Sequence, residues 1–249
     1  MTSHAHRRNW AIGFIAFFLT QHVAAEEVRV AVATNFTATM EALAAAFEAR
    51  GKHTVLVSSG SSGNHYAQIK NGAPFDVFFS ADAERPRLLE QEGLIVPGSR
   101  FPYAVGRLVL WSIRSDYVDG DGRILETGEF RHLAIANPEL APYGAAAREV
   151  LRAREVWDNV QARLVQGQDI GQTYSFVATG NAELGFVAYS QISRPFETSG
   201  SFWLVPEALH QPIEQQAVLL RDGPGAREFL EFVKSEEARA IIRDYGYGP

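Results

Sequence analysis

The sequence predicts an α/β protein with two lobes, each built on a central, largely parallel sheet that is flanked by helices. Short β-rich runs alternate with helical patterns across short turns, and this alternation is typical of parallel sheets. No linker divides the chain cleanly. The apolar, β-rich segment 101–113 (FPYAVGRLVLWSI) is long enough to pass from one lobe to the other, so we expect crossover strands to join them.

The first two strands are each followed by a polar turn and a helix. Residues 28–33 (VRVAVA) predict a strand, and the turn 34–37 (TNFT) leads into a helix that ends at Gly51. The second strand ends near Ser58, and the turn 60–63 (GSSG) opens a helix that stops at Asn71-Gly72, with Ser62 placed as its N-cap. Both turns supply hydroxyl groups and unpaired N–H donors.

Two more turns of this kind occur in the second half of the chain. A strand at 132–136 leads through NPELAPYG to a helix at 145–154, with Tyr143 beside its start, and a strand at 164–166 leads through GQDIG to a helix that reaches Gly180. The remaining predicted elements are strands at 75–80, 183–190, 202–206 and 214–220, and helices at 82–92, 225–235 and 236–245.

Ligands of parallel sheets bind at the carboxyl ends of the strands, and a helix N-terminus favours anions. The four donor-rich turns are therefore candidate parts of an anion-binding site. Each polar side chain, including Ser62, can equally be an ordinary helix cap.

The amino terminus has the pattern of a cleaved secretory signal. Arg7 and Arg8 precede the mostly apolar run 10–20, and small residues at 23–25 permit cleavage after Ala25. The apolar run is too short for a membrane-spanning helix. We therefore expect residues 1–25 to be a signal peptide and the mature protein to lie in the periplasm.

Charge and cysteine content exclude several functions. Without the two arginines of the signal, the chain carries 21 basic and 29 acidic residues, a formal charge of −8. An acidic chain without basic clusters argues against nucleic acid and anionic membranes as partners. Because the chain has no cysteine, there is no disulfide framework and no lipid-modified cysteine, which favours a free protein over a tethered lipoprotein.

Catalytic and metal-site alternatives find little support. A serine hydrolase would use Ser61 or Ser62, but GSSG lacks the G-x-S-x-G spacing and neither serine lies in an S-x-x-K motif. His65 lies near a helix start and is expected to be solvated. The sequence DGDG at 119–122 resembles part of a calcium loop, but the alignment puts Gly128 where the bidentate acid belongs. A binding function remains.

Several segments resemble the periplasmic molybdate-binding proteins of ABC importers, which have the type II periplasmic binding protein fold. The G-A-P-x-D-V-F-x-S-A-D and N-P-x-x-A-P-x-G runs are the most specific. The matching segments follow the family order over nearly all of the mature chain: AVATNFTATMEALAAAFEA, SSGSSGNHYAQIKNGAPFDVFFSAD, LAIANPELAPYGAAAREVL, GQDIGQTYSFVATGNAELGFVAYSQI and AIIRDYGY.

The resemblance implies which residues contact the ligand. They are Thr34, Asn35 and Ser62 in the first lobe and Tyr143 and the N–H of Ile170 in the second. Ser61 and Tyr189 are possible further contacts. Many family members have a tyrosine where this chain has Ala188, and Tyr189, one residue later, is expected on the opposite side of the strand.

The resemblance implies capture of molybdate, and also of tungstate, with delivery to an ABC permease in the inner membrane. It implies no enzymatic activity, no cofactor, molybdenum only as bound molybdate, and a monomer. Neutral hydroxyl, amide and backbone donors suffice for a tetrahedral dianion. The alternatives are another tetrahedral oxyanion such as sulfate, a small organic acid, or a hydrolase that uses Ser62.

The expected lobes are discontinuous in sequence. Lobe I comprises residues 26–105 and 215–249, and lobe II comprises residues 106–214. Hinge closure needs flexible crossovers, which we expect near 101–106 and 211–215.

Overall fold

A computed structural model describes residues 25–193 and 199–248, so the predicted signal peptide lies almost entirely outside the described residues. Ten β-strands occur in the described part: β1 (Glu27–Ala33), β2 (Thr54–Gly60), β3 (Val77–Ser80), β4 (Phe101–Gly106), β5 (Leu108–Ser112), β6 (Leu133–Ala136), β7 (Leu164–Gly167), β8 (Leu184–Ala188), β9 (Ser201–Leu204) and β10 (Ile213–Leu219).

The same residues form nine α-helices: α1 (Thr37–Glu48), α2 (Ser62–Lys70), α3 (Glu84–Gln91), α4 (Ile124–Thr127), α5 (Pro142–Ala153), α6 (Trp157–Val160), α7 (Ile170–Ala178), α8 (Pro224–Val233) and α9 (Glu236–Asp244). A 3₁₀ turn, Thr34–Phe36, connects β1 to α1. None of the helices in the described ranges has both the length and the apolar character required to cross a bilayer.

The strands form two five-stranded sheets with the same topology. The order is β2-β1-β3-β10-β4 in lobe I and β7-β6-β8-β5-β9 in lobe II. Three adjacent strands of each sheet are parallel, and the fourth, β10 or β5, runs antiparallel to both of its neighbours. These antiparallel strands enter from the other lobe, because β5 follows β4 after Arg107 and β10 follows β9. The predicted fold class is confirmed.

Helices cover both faces of each sheet, so the central strands are buried and mostly apolar. All four residues of β3 are buried, as in a strand covered on both faces. The Phe79 ring packs against Tyr103 and Phe36, with centroid separations of 5.1 and 6.3 Å. This aromatic packing fixes Phe36 and Tyr103 beside the cleft, where the site described below is built.

Three segments differ from their predictions in ways that affect the site. Segment 101–113 is two strands in different sheets, interrupted at Arg107. Helix α5 begins at Pro142, because proline at the first helical position has the required φ and lacks an N–H that would be unpaired there. This start places Tyr143 within the first turn. Strand β8 ends at Ala188, and a 3₁₀ turn, Tyr189–Gln191, replaces the predicted end of that strand.

Candidate functional site

Four parallel strands end at one cleft between the lobes. In lobe I, β1 leads through the 3₁₀ turn to α1 and β2 leads to α2. In lobe II, β6 leads to α5 and β7 leads to α7. The first N–H groups of a helix have no intrahelical acceptors, and the helix dipole adds partial positive charge. The four predicted donor-rich turns therefore converge.

A small cavity lies where these N-termini meet. Its volume is about 10 Å³, far below the roughly 300–1,000 Å³ of drug-sized ligand pockets and close to the space of a single water molecule. The closed site therefore suits a very small ligand. The walls come from both lobes: Ala33, Thr34, Asn35, Ser61, Ser62, Ala81, Ala141, Pro142, Tyr143, Asp169 and Ile170.

The lobes are closed over the cavity. The Gly63 N–H donates to the Leu140 carbonyl oxygen at 2.9 Å. Arg85 Nη2 donates to the Glu139 carbonyl oxygen at 2.8 Å. Ser190 Oγ donates to the Asn35 carbonyl oxygen at 3.0 Å. Each of these bonds joins lobe I to lobe II.

The GSSG turn contains two serines with different roles. Ser61, not Ser62 as predicted, is the N-cap of α2, because its Oγ accepts the Asn64 N–H at 3.2 Å. Ser62 is the first helical residue, and its Oγ accepts the Ala81 N–H at 2.9 Å. Because that oxygen already accepts a backbone donor, the hydroxyl proton of Ser62 is available to the cavity.

Thr34 and Asn35 form the lobe I wall at the end of β1. Within the described residues, buried Thr34 Oγ1 and Asn35 Oδ1 have no hydrogen-bond partner. The amide nitrogen of Asn35 donates to Gln215 Oε1 at 2.9 Å and to Tyr247 Oη at 3.1 Å. Its side chain is therefore held from below the cavity, and Thr34 contributes an unpaired hydroxyl at the cavity wall.

Tyr143 contributes a buried phenol from the first turn of α5. It is 1% exposed, and its hydroxyl oxygen accepts Gln215 Nε2 at 3.4 Å. Burial raises the pKa of Tyr143 well above its ordinary value, and the nearby Tyr247 raises it further. The phenol therefore remains protonated and can donate.

Ile170 begins α7, where Asp169 is the N-cap. Asp169 Oδ1 accepts the N–H groups of Gly171 and Gln172 at 2.8 and 2.9 Å. In α2, the N–H groups of Gly63 and Asn64 are likewise paired, with Leu140 and Ser61. Among the first-turn donors of α2 and α7, the Ser62 and Ile170 N–H groups are thus left for the cavity.

The cavity contains hydrogen-bond donors without a cationic side chain. None of its lining residues in the described part is lysine, arginine or histidine, and Asp169 is the one carboxylate among them. Preorganised neutral dipoles from helix N-termini and hydroxyl groups can stabilise a small anion. The site therefore has the chemistry of an oxyanion receptor.

The structure brings together six of the seven predicted contact residues. Thr34, Asn35, Ser61, Ser62, Tyr143 and Ile170 line the same cavity. Tyr189 lies elsewhere: its ring is covered by the Arg107 guanidinium at 4.7 Å and faces the ring of Phe202 at 6.0 Å.

His65 is buried, not solvated as the sequence predicted. It is 2% exposed, and its Nε2 and Nδ1 lie 3.2 Å from the Val32 carbonyl oxygen and from Gln68 Oε1. The rings of Phe75 and Phe78 meet it edge-on. Phe78 lies in β3, and Phe75 lies just before that strand. Because both rings come from outside α2, the position of His65 near a helix start gave no sign of its burial.

Ser62 and His65 do not form a catalytic pair. Both His65 nitrogens and the Ser62 oxygen have other partners, so no base contacts the serine. The described part also has no cluster of three or more histidine, aspartate or glutamate side chains that could hold a metal ion. In the DGDG turn, Asp119 Oδ1 accepts the N–H groups of Asp121 and Arg123.

Two buried residues and one partly buried residue beneath the cavity were not predicted from the sequence. They are Tyr103, Gln215 and Tyr247, which contribute to hydrogen bonds under Asn35 and Tyr143. The segment AIIRDYGY, quoted for the resemblance, contains Tyr247 but indicated no role for it. For Tyr103, a hydroxyl-bearing residue within an otherwise apolar strand was the available signal. For Gln215, the signal was the polar run 214–216 within a strand.

Comparisons with known proteins identify the family of this chain. Residues 28–248 match the family model described as bacterial extracellular solute-binding protein. The molybdate-binding protein ModA of Azotobacter vinelandii is 50% identical over 228 residues, with 90% of each chain covered. ModA of Rhodobacter capsulatus is 50% identical over 227 residues, covering 90% of this chain and 89% of its own.

Solved structures of other solute-binding proteins also match this chain over most of its length. The periplasmic molybdate-binding protein of Azotobacter vinelandii matches with a TM-score of 0.86 and 44% identity, over 89% of this chain and 99% of that one. The sulfate-binding protein SubI of Mycobacterium tuberculosis matches with a TM-score of 0.72 and 14% identity, over 90% and 87%, and shares the fold alone. The resemblance identified in the sequence motifs is confirmed. The chain belongs to the bacterial extracellular solute-binding protein family.

Proposed function

We propose that this chain is a periplasmic substrate-binding protein that captures molybdate, and also tungstate, between its lobes and delivers it to an ABC importer. The observation that carries the proposal is the small cavity lined by neutral donors from both lobes. Two relatives that are 50% identical to this chain are molybdate-binding proteins, which supports molybdate as the anion.

The proposed ligand contacts are the hydroxyl groups of Thr34, Ser62 and Tyr143 and the backbone N–H groups of Asn35 and Ile170. Ser61 supports the second turn as the cap of α2. A dianion without a proton is matched by donors alone. A hydrogen phosphate needs an acceptor for its proton. Oδ1 of Asp169, the carboxylate in the wall, already accepts two N–H groups, and the unpaired Oδ1 of Asn35 is a neutral amide oxygen. Sulfate is smaller, so its hydrogen bonds in a cavity sized for molybdate are long and weak.

The proposed delivery cycle needs hinge motion and export. We place the hinge near residues 101–106 and 211–215, between lobe I (26–105 and 215–249) and lobe II (106–214). Residues 1–25 are the proposed signal peptide, cleaved after Ala25. The protein acts as a monomer with an inner-membrane permease as its partner and needs no cofactor.

Isothermal titration of the mature protein with molybdate, tungstate, sulfate and phosphate tests the proposal. We expect one-to-one binding of molybdate and tungstate and weak or absent binding of sulfate and phosphate. Ligand-free, folded protein that gives no heat with molybdate would refute the proposal, and tight sulfate binding would favour the alternative oxyanion.

The variant Ser62→Ala tests the site itself. Loss of a hydrogen bond to a charged group costs about 1.5–3 kcal/mol, so molybdate affinity should fall by that amount. Ser61→Ala is the matched comparison. It removes the cap, costs about 1 kcal/mol of folding stability, and should change affinity less. Unchanged affinity of Ser62→Ala would show that Ser62 only orders the turn.

A further inference from the structure

A buried polar side chain on the hinge strand β10 connects residues of both lobes beneath the cavity. Gln215 is fully buried, and its Oε1 accepts Asn35 Nδ2 and the Tyr103 hydroxyl, each at 2.9 Å. Its Nε2 lies 3.4 Å from the Tyr143 hydroxyl oxygen. The side chain thus holds one residue of the lobe I wall and one of the lobe II wall.

The direction of these bonds sets what Tyr143 can offer a ligand. An amide nitrogen only donates, so the Tyr143 oxygen is the acceptor in its contact with Gln215. The phenol proton must then point elsewhere, and Tyr143 lines the cavity. Gln215 therefore favours the arrangement in which Tyr143 donates to the ligand and does not accept from it.

The backbone is built to bring these side chains together. Pairing of β10 with β4 shifts between Gln215 and Gln216, which pair with Ala104 and Pro102, so Tyr103 is the extra residue of a β-bulge. Bulges re-aim side chains beside functional sites. A Cβ at Gly106 would overlap the Tyr143 hydroxyl and approach Gln215 Nε2 at 2.8 Å. The absence of a side chain at Gly106 permits their contact.

We propose that Gln215 is a positioning residue that fixes Asn35 and orients the Tyr143 hydroxyl as a donor to the bound oxyanion. This inference rests on the proposed function. Asn35 and Gln215 belong to lobe I and Tyr143 to lobe II, so the contact with Tyr143 forms only when the lobes are together. The Tyr143 hydroxyl is therefore oriented as a donor only when the two lobes are closed.

A double-mutant cycle for molybdate binding tests whether Gln215 acts through Tyr143. We expect Gln215→Met and Tyr143→Phe each to weaken binding by about tenfold to a hundredfold, the effect of losing a hydrogen bond to a charged group. The double variant should bind molybdate about as weakly as whichever single variant binds it more weakly, because both changes remove the same donor, the Tyr143 hydroxyl. A purely structural residue would give losses that multiply.

The variant Gln215→Glu tests the orientation of the Tyr143 hydroxyl while keeping the side-chain size. Burial raises the pKa of a carboxyl, so binding is measured at a pH high enough to ionise the glutamate. The ionised carboxylate still accepts from Asn35 and Tyr103, but it cannot donate to Tyr143 and instead accepts the phenol proton. We expect it to lose at least as much affinity as Tyr143→Phe. This isosteric variant keeps the test informative if Gln215→Met fails to fold.

The adjacent residue provides the control. Gln216 is also buried on β10, but its amide pairs with Arg100 and Glu214 and not with a residue of the cavity wall. Gln216→Met should change molybdate affinity less than threefold and combine with Tyr143→Phe additively.

Two results keep the inference separate from the proposed function. If wild-type protein does not bind molybdate, the proposed function fails. If wild-type protein binds, while Gln215→Glu and folded Gln215→Met bind equally well or their losses multiply with that of Tyr143→Phe, the role of Gln215 is overturned and the function stands.

Discussion

The N–H of Gly63 donates to the carbonyl oxygen of Leu140 across the cleft, so the first turn of α2 is bonded directly to the opposite lobe. A Cβ at Gly63 would lie 3.0 Å from both Leu140 Cα and its carbonyl oxygen. The close approach of two backbones thus requires glycine at this position.

We expect Gly63→Ala to lower molybdate affinity without lowering the stability of the ligand-free protein. The methyl group obstructs closure, and overpacking of this kind costs about 1–3 kcal/mol, so molybdate affinity should fall at least several-fold. The open form should be equally or more stable, because alanine favours helix over glycine by about 1 kcal/mol. Titration calorimetry and urea unfolding without ligand measure the two effects. Gly120→Ala, where a Cβ meets no atom within 4 Å, is the control.

Arg85→Ala should speed ligand release. Arg85 pairs with Asp82 in its own lobe and donates to the Glu139 carbonyl oxygen of the other. Loss of one interlobe hydrogen bond costs about 1 kcal/mol, and most changes of this type appear in the dissociation rate. Stopped-flow displacement of molybdate by excess tungstate measures that rate. Arg87, which is exposed on the same helix, provides the control. A similar increase in the dissociation rate of Arg87→Ala would contradict a specific role for Arg85.

Stability should fall as the pH drops below about 6.5, through His65. Burial lowers the pKa of His65 below its ordinary value of 6.5. Hydrogen bonds to Gln68 and Val32 and the negative charge of Asp169 raise the pKa, but burial has the larger effect. The unfolded chain therefore binds a proton more readily than the folded chain, and the free energy of unfolding decreases as pH falls from the unfolded towards the folded pKa. Urea unfolding near neutral and mildly acidic pH tests this.

A matched pair of variants assigns that pH effect. His65→Gln should reduce the pH dependence and also lower stability at neutral pH, because the ring packs against Phe75 and Phe78. His132→Gln, at an exposed residue, should leave the pH dependence as in the wild type. Equal pH dependence in all three proteins would exclude His65 as its source.

Gly106→Ala should destabilise the closed form through Tyr143. Its Cβ would overlap the phenol hydroxyl, and we expect a loss of about 1–3 kcal/mol in binding free energy. Adding Tyr143→Phe removes the oxygen in conflict, so the glycine substitution should cost less in that background. Calorimetric titration of the four proteins gives this comparison, and equal costs in both backgrounds would refute the proposed clash.

Local sequence patterns predicted the lobe I turns well because each turn is fixed by its own residues. In 54–72, a β-rich run, two glycines and two serines fix the end of a strand and the start of a helix almost independently of the rest of the chain. The prediction of Ser62 as cap was wrong by one residue, because either serine can satisfy a first-turn N–H. The Ser62 oxygen instead accepts the N–H of Ala81, the residue that follows β3, and this long-range contact distinguishes Ser62 from Ser61.

Long-range contacts could not be predicted in this way. Tyr103 and Gln215 are 112 residues apart, and their contact depends on which strands become neighbours and on a bulge between them. The burial of His65 likewise depends on aromatic residues from outside its own helix. The convergence of Tyr143 with Ser62 across two lobes came from the family resemblance and not from periodicity, which describes single elements.

The placement of β10 also determines the order in which the chain can complete its fold. Synthesis delivers the amino end first, and β10 lies between β3 and β4, so the first sheet has a gap beside its central strand until residues 213–219 have emerged. The second sheet is complete once residue 204 is available. The lobe that begins the sequence is therefore the last to be finished, and a nascent or truncated chain lacks a continuous first sheet until nearly its whole length is present.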